Sequence, residues 1–157
     1  AQERLLSWPL VVRAYLWLGP LQAIAALMAF FCVLYLGDWT YGTPLDPLDP
    51  LYLQATTACL AAIVTAQIVN VFLCRHPRNA AWSLSPFGNR LLLLGLAVEL
   101  GLLVFIVFTA PGNWVFGTQA FEPGLWGIIV LLALAFGILE ETRKYAVRRW
   151  ARPQPDA

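Results

Sequence analysis

Residues 52–78 read YLQATTACLAAIVTAQIVNVFLCRHPR, an apolar run without a charged side chain that ends in a segment containing two arginines. A helix rises about 1.5 Å per residue, so about 20 apolar residues cross the ~30 Å hydrocarbon core of a bilayer. The run 52–74 is long enough to do so. We therefore predict a transmembrane helix here, with the basic segment behind it at a membrane surface.

Three further runs of this kind lie at about 10–36, 91–108 and 125–145. Prolines and glycines interrupt the chain between the runs, and Pro20 is expected to kink the first. The fourth has only about fifteen apolar residues before its first acid, so its last turns should rest among the lipid headgroups. We predict an all-α fold, an integral membrane four-helix bundle, with residues 1–157 forming a single membrane domain.

The charged residues are sorted between the two sides that these spans define. All ten bases precede the first span, lie between the second and third, or follow the fourth: Arg4, Arg13, Arg75, Arg78, Arg90, Arg143, Lys144, Arg148, Arg149 and Arg152. The loops on the other side hold only acids: Asp38, Asp46, Asp49 and Glu122. Because loops rich in Lys and Arg stay in the cytoplasm, we predict that both termini are cytoplasmic.

The composition excludes several classes of function. With 60% hydrophobic and 12% charged residues, the chain is far from the composition of soluble domains. A net charge of +1, with acids and bases in separate stretches, is a poor fit for nucleic-acid binding. One histidine and three widely spaced cysteines cannot hold a haem or an iron–sulfur cluster, so we expect no cofactor in this chain.

Four polar residues lie within the apolar runs: Gln22, Gln67, Asn70 and Glu99. Counted from the nearest base, Gln22, Gln67 and Glu99 lie roughly 12 to 14 Å into the membrane, so they could share one layer. Asn70 follows Gln67 by three residues and should lie on the same helix face. For Gln22, a role in a functional site and simple interhelical hydrogen bonding are equally good explanations. A carboxylate at this depth costs about 2.5 to 3.5 kcal/mol, so Glu99 should face the bundle, be protonated or have a cationic partner.

The end of the fourth run combines acids and bases at helical spacing. Glu140 and Glu141 precede Lys144 by four and three residues, so we expect local ion pairs. The basic residues from 143 to 152 could contact anionic lipids, but we favour their simpler role as a stop signal for membrane insertion.

Each predicted span also carries a short motif. The motifs are Tyr15-x-x-x-Gly19-x-x-Gln22-Ala23, then Gln67-x-x-Asn70-x-x-x-Cys74-Arg75, then Gly95-Leu96-x-x-Glu99 behind Asn89-Arg90, and finally Glu140-Glu141-x-Arg143-Lys144-x-x-x-Arg148-Arg149. In this order and spacing they resemble the last four membrane helices of the type II cation-transporting P-type ATPases, including the sodium/potassium and calcium pumps.

The resemblance implies that Gln67, Asn70 and Glu99 match positions that belong to or border the transmembrane cation sites. The sodium/potassium pump has an aspartate where Asn70 stands and a second glutamate where Val98 stands, and the calcium pump has a glutamate at the position of Gln67. The cation, monovalent or divalent, therefore stays open. The family's phosphorylation motif, Asp-Lys-Thr-Gly-Thr, has no counterpart in these residues.

Our leading hypothesis is a C-terminal membrane domain of a cation-transporting P-type ATPase, multi-pass in the plasma membrane. Its expected partners are the lipid bilayer, a cation, and the remaining transmembrane helices and cytoplasmic domains of the parent pump, where ATP and Mg2+ would act. No catalysis is expected from this chain alone. The alternative is a free-standing four-helix membrane transporter or structural subunit without ATPase activity.

Overall fold

The computed structural model describes residues 8–74 and 88–150. Over these residues the chain is helical and has no strand, which confirms the all-α prediction. The helices are α1 (Trp8–Arg13), α2 (Gly19–Leu36), α3 (Pro50–Cys74), α4 (Arg90–Phe108), α5 (Ala110–Phe116) and α6 (Gly124–Trp150). Within these described ranges, four segments are long and apolar enough to cross a membrane: Val11–Leu36, Pro50–Leu73, Arg90–Phe108 and Gly124–Arg149.

A π-helical turn, Ala14–Leu18, joins α1 to α2 within the first span. The N–H of Gly19 donates to the carbonyl of Ala14, five residues back. Pro20 follows directly, and a proline has no N–H and clashes with the carbonyl four residues before it. A wider turn accommodates this clash, and such turns occur often at functional sites. The irregularity expected at Pro20 therefore takes the form of a π turn just upstream of it.

The loop after α4 contains the short helix α5, a helix that was not expected from the sequence. Thr109 caps it, because its Oγ1 accepts a hydrogen bond of 3.1 Å from the N–H of Gly112. A Cβ at Gly112 would lie 2.9 Å from the Cα of Ile106, so only glycine allows this close return onto α4. Gly117, with φ of 59°, ends α5 in the left-handed conformation.

Small side chains of α3 form the centre of the bundle. Ala55, Ala58, Ala61 and Ala62 are at most 3% exposed and lie in one cluster with residues of α2 and α6. Alanines let helix backbones approach closely, which is how membrane helices gain packing energy. The helix α4 joins this cluster only through Leu103 and Val107 in its C-terminal half.

The ends of three helices meet at one end of the bundle. Arg13, at the start of the first span, contacts Glu140 near the end of α6. Lys144 of α6 donates a hydrogen bond to the carbonyl of Leu73 in the last turn of α3. We call this the basic end, defined by Arg13, Leu73, Glu140 and Lys144. Toward the opposite end, Thr57 of α3 accepts a hydrogen bond from the backbone N–H of Gln119, in the segment after α5.

Candidate functional site

Two of the predicted site residues are in contact on α3. The Nδ2 of Asn70 donates to the Oε1 of Gln67 at 3.4 Å, which confirms that these amides share a helix face. Cys74 extends the row, since its Sγ donates to the Oδ1 of Asn70 at 3.3 Å. Gln67 is exposed and Asn70 is half-buried. The row therefore presents amide groups at the surface of α3.

Glu99 lies on α4 and is half-buried. No hydrogen bond or ion pair joins it to another residue in the two described ranges, so it does not join the Gln67–Asn70 pair within this chain. Its neighbours Val98 and Leu100 are exposed, 54% and 46% respectively. The carboxylate thus lies on a helix that the other described helices cover only in part.

A cavity of about 220 Å³ lies where the first span passes the end of α3. Its lining residues are Arg13, Ala14, Leu18, Gly19, Gln22, Asn70 and Cys74. The Nε2 of Gln22 is buried and has no hydrogen-bond partner among the residues of the described ranges. Gln22 and Asn70 therefore line one cavity that is large enough for water.

These side chains can offer amide and carboxylate oxygens, the ligands that hard cations prefer. Within residues 8–74 and 88–150, no three His, Cys, Asp or Glu side chains cluster closely enough to hold a metal ion. Of the three predicted site residues, Gln67 and Asn70 are neutral amides and Glu99 is the one carboxylate.

The basic end contains a buried ion cluster that joins the first span to α6. The side chain of Glu140 is 0% exposed and accepts hydrogen bonds from Nε and Nη2 of Arg143, at 2.8 and 2.7 Å. The Nη2 of Arg13, 127 positions away, adds a third bond at 2.5 Å. Helical spacing around Glu140 could not indicate Arg13 as a partner, because Arg13 lies in a different helix. The only sequence signal was a base at the N-terminal edge of the first apolar run.

Lys144 is also buried, with 1% of its surface exposed. Its Nζ forms one of the two predicted ion pairs, with Glu141, at 2.9 Å to Oε1. The predicted pair with Glu140 is wrong, because Glu140 pairs with Arg13 and Arg143 instead. The same Nζ donates to the carbonyl of Leu73 at 2.8 Å. Carbonyls in the last turn of a helix have no partner within that helix, so Lys144 of α6 caps the end of α3. The spacing of residues in the sequence does not indicate this contact, because it joins two different helices.

Comparison with known proteins is consistent with the resemblance. The matching family model, the C-terminus of cation-transporting ATPases, covers residues 1–146. The probable cation-transporting ATPase F of Mycobacterium tuberculosis (strain H37Rv) is 30% identical over 73% of this chain and 13% of its own length. The calcium-transporting ATPase of Bacillus subtilis is 28% identical over 81% of this chain and 12% of its own.

A more distant relative is the sodium/potassium-transporting ATPase subunit alpha-1 of Catostomus commersonii, 22% identical over 94% of this chain and 17% of its own length. The chain thus spans a small part of the curated relatives that it matches. The four motifs, the four membrane helices and the family model agree: the chain belongs to the family of C-terminal domains of cation-transporting P-type ATPases.

Proposed function

We propose that this domain supports the transport helices of a cation pump and contributes Gln67, Asn70 and Glu99 to its cation or proton-coupling site. The observation that carries the proposal is Glu99, a carboxyl group in a membrane-spanning helix without a partner among the described residues. An ionised carboxylate in this position is costly unless a cation, a proton or a polar group from another helix compensates it.

The exposed side of α3 and the half-buried Glu99 leave room for such partners. In the proposed pump, the remaining transmembrane helices would pack against this side and complete the ligand set. The cation is monovalent or divalent, because two neutral amides and one carboxylate suit either charge. ATP and Mg2+ would act in cytoplasmic domains elsewhere in the pump. This chain would form part of the path of the cation through the membrane.

The test is Glu99→Gln in the full ATPase, with ATPase activity measured against cation concentration and pH. This change keeps the size and hydrogen bonding of the side chain and removes the titratable group, so we expect a shift in cation affinity or in pH dependence. Glu122→Gln, an exposed acid outside the spans, is the matched control and should change neither. If Glu99→Gln also changes neither, Glu99 is a packing residue and the site assignment is wrong.

For the orientation we propose that both termini are cytoplasmic and that the pump resides in the plasma membrane. The support is the positive-inside rule together with the basic end, where Arg13, Arg143 and Lys144 lie at one end of the bundle. In a background without native cysteines, cysteines at Asp46 and Thr118 should react with an impermeant label from outside. A cysteine at Ala80 should not, and its labelling from outside would overturn the topology.

The free-standing alternative is not favoured, because each of the three relatives is an ATPase of which this chain matches a small part. The expected location of catalysis, outside this chain, can be tested directly. The purified 157-residue chain should form no phosphoenzyme, since catalysis belongs to other domains. Acid-stable, ATP-dependent phosphorylation of the chain would contradict this division of labour.

A further inference from the structure

A second cavity, of about 390 Å³, lies between the first span and α6. Its lining is Val12, Arg13, Leu16, Trp17 and Arg143, and we call it the Trp17 cavity. It combines two guanidinium groups and an indole with two aliphatic side chains. None of these residues is Gln67, Asn70 or Glu99, although Arg13 also lines the cavity of Gln22 and Asn70.

Two side chains that line this cavity each carry an N–H group without an acceptor among the residues that the structure describes. The Nε of Arg13 and the Nε1 of Trp17 are buried, and neither forms a hydrogen bond with any residue that the structure describes. Buried N–H groups in native proteins are almost always paired, and each unpaired one in a folded protein calls for an explanation. A ligand that brings acceptor oxygens would satisfy both groups.

The local charge indicates that this ligand is an anion. Arg13 and Arg143 share one carboxylate, Glu140, which leaves one positive charge uncompensated within the cluster. Three hydrogen bonds from the two guanidinium groups already engage the oxygens of Glu140. The unpaired donors therefore need a second acceptor, and a phosphate offers several oxygens and the missing negative charge.

The surroundings indicate that the phosphate is carried by a lipid. Leu16 is 71% exposed on a helix long and apolar enough to span a membrane, and Val12 is 37% exposed. Trp17 lies in the π-helical turn, one turn beyond Arg13, the depth at which an indole meets the headgroup zone. An acyl chain can therefore follow Val12 and Leu16 while its headgroup reaches the donors.

We propose that the Trp17 cavity binds one anionic phospholipid. Its phosphate oxygens accept hydrogen bonds from Arg13 Nε, from Trp17 Nε1 and from the guanidinium of Arg143, and its acyl chain packs on Val12 and Leu16. This lipid would join the first span to α6 at the basic end. The contact is more specific than attraction of the whole basic tail to a membrane surface, because it requires one indole and two particular arginines.

The experiment measures lipid retained by the purified 157-residue chain. The chain is equilibrated in detergent with equal amounts of phosphatidylglycerol and phosphatidylcholine, and native mass spectrometry gives the ratio of the two lipids bound. We expect the wild type to retain one phosphatidylglycerol in preference to phosphatidylcholine. Trp17→Phe and Arg143→Lys should each lower this preference about fivefold, the factor that corresponds to about 1 kcal/mol for one phosphate contact.

Both variants are chosen to keep the fold. Arg143→Lys retains the charge beside Glu140, and Trp17→Phe removes one N–H donor without changing the charge. Arg149→Gln is the control, because it removes a whole charge from an exposed position on the same helix, outside the Trp17 cavity. It should leave the preference within about twofold, since an exposed charge contributes little when its neighbours remain.

Three results would overturn the proposal. The first is an unchanged lipid preference in Trp17→Phe. Circular dichroism of this variant verifies that its helix content matches the wild type. The second is an equal loss in Arg149→Gln, which would indicate attraction to charge alone. The third is displacement of phosphatidylglycerol by millimolar inorganic phosphate, which would indicate a site for a free anion rather than a lipid.

Discussion

The helices α3 and α4 are both apolar enough to span a membrane, yet they pack in opposite ways. Both are described over their full length, and α3 buries seven residues whereas α4 buries two, Leu103 and Val107. The more apolar helix by composition is α4. Its Leu94, Leu102 and Val104 are more than half exposed. Apolarity alone therefore does not decide which membrane helix lies at the centre.

The two helices differ in side-chain size and in the fixation of their ends. Five alanines of α3 are buried, so the backbones of α2 and α6 can approach it closely. Lys144 also holds the last turn of α3 through the carbonyl of Leu73. In α4, a Cβ added at Gly95 or Gly101 would meet no atom of another described helix within 4 Å. Small residues therefore allow close packing only where another helix lies against them.

The largest expected effect tests the fixation of the basic end. Glu140→Ala leaves the guanidinium groups of Arg13 and Arg143 without their shared carboxylate, so we expect a loss of about 3 to 5 kcal/mol in the free energy of unfolding. Unfolding of the chain in mixed micelles measures it. Glu99→Ala, on the loosely packed α4, should stay within about 0.5 kcal/mol. If the two variants lose the same free energy of unfolding, the basic end contributes no more to stability than α4 does.

A smaller effect tests the role of side-chain size. Ala61 of α3 is 0% exposed, so Ala61→Leu should overfill the contact with neighbouring helices and cost about 1 to 3 kcal/mol in unfolding free energy. The same substitution at Ala97, which is exposed on α4, should cost less than about 0.5 kcal/mol. The same micelle titration compares the two. A tolerated leucine at position 61 would contradict the close packing of α3.

The smallest effect sharpens the comparison within α3 itself. The Oγ1 of Thr57 accepts a 3.0 Å hydrogen bond from the backbone N–H of Gln119, in the segment after α5. Thr57→Val leaves that N–H unpaired and should cost about 1 kcal/mol in unfolding free energy. Thr56 bonds only to carbonyls of its own helix, so Thr56→Val should be close to neutral. If both variants behave alike, the Thr57–Gln119 contact contributes nothing measurable.

Much of the candidate site follows from the sequence, and part of it does not. The position of Gln67 and Asn70 on one face of α3 follows from their spacing of three residues, and the pair Glu141–Lys144 does likewise. The shared cavity of Gln22 and Asn70 required knowledge of how the first span crosses α3. The role of Gln67, Asn70 and Glu99 in cation coupling stays a prediction.

By itself, the sequence determined the helical class, the four membrane-spanning segments and the family, because length, apolarity and motif spacing are properties of a chain read in one dimension. Only the tertiary structure decided which helix is central, and that Arg13 reaches Glu140 across 127 positions. The physical reason is the solvent. Lipid is as apolar as a protein core, so a membrane helix carries no apolar stripe that marks its buried face. The partner of a buried charge is then set by the packing of the helices, as it is for Arg13 and Glu140.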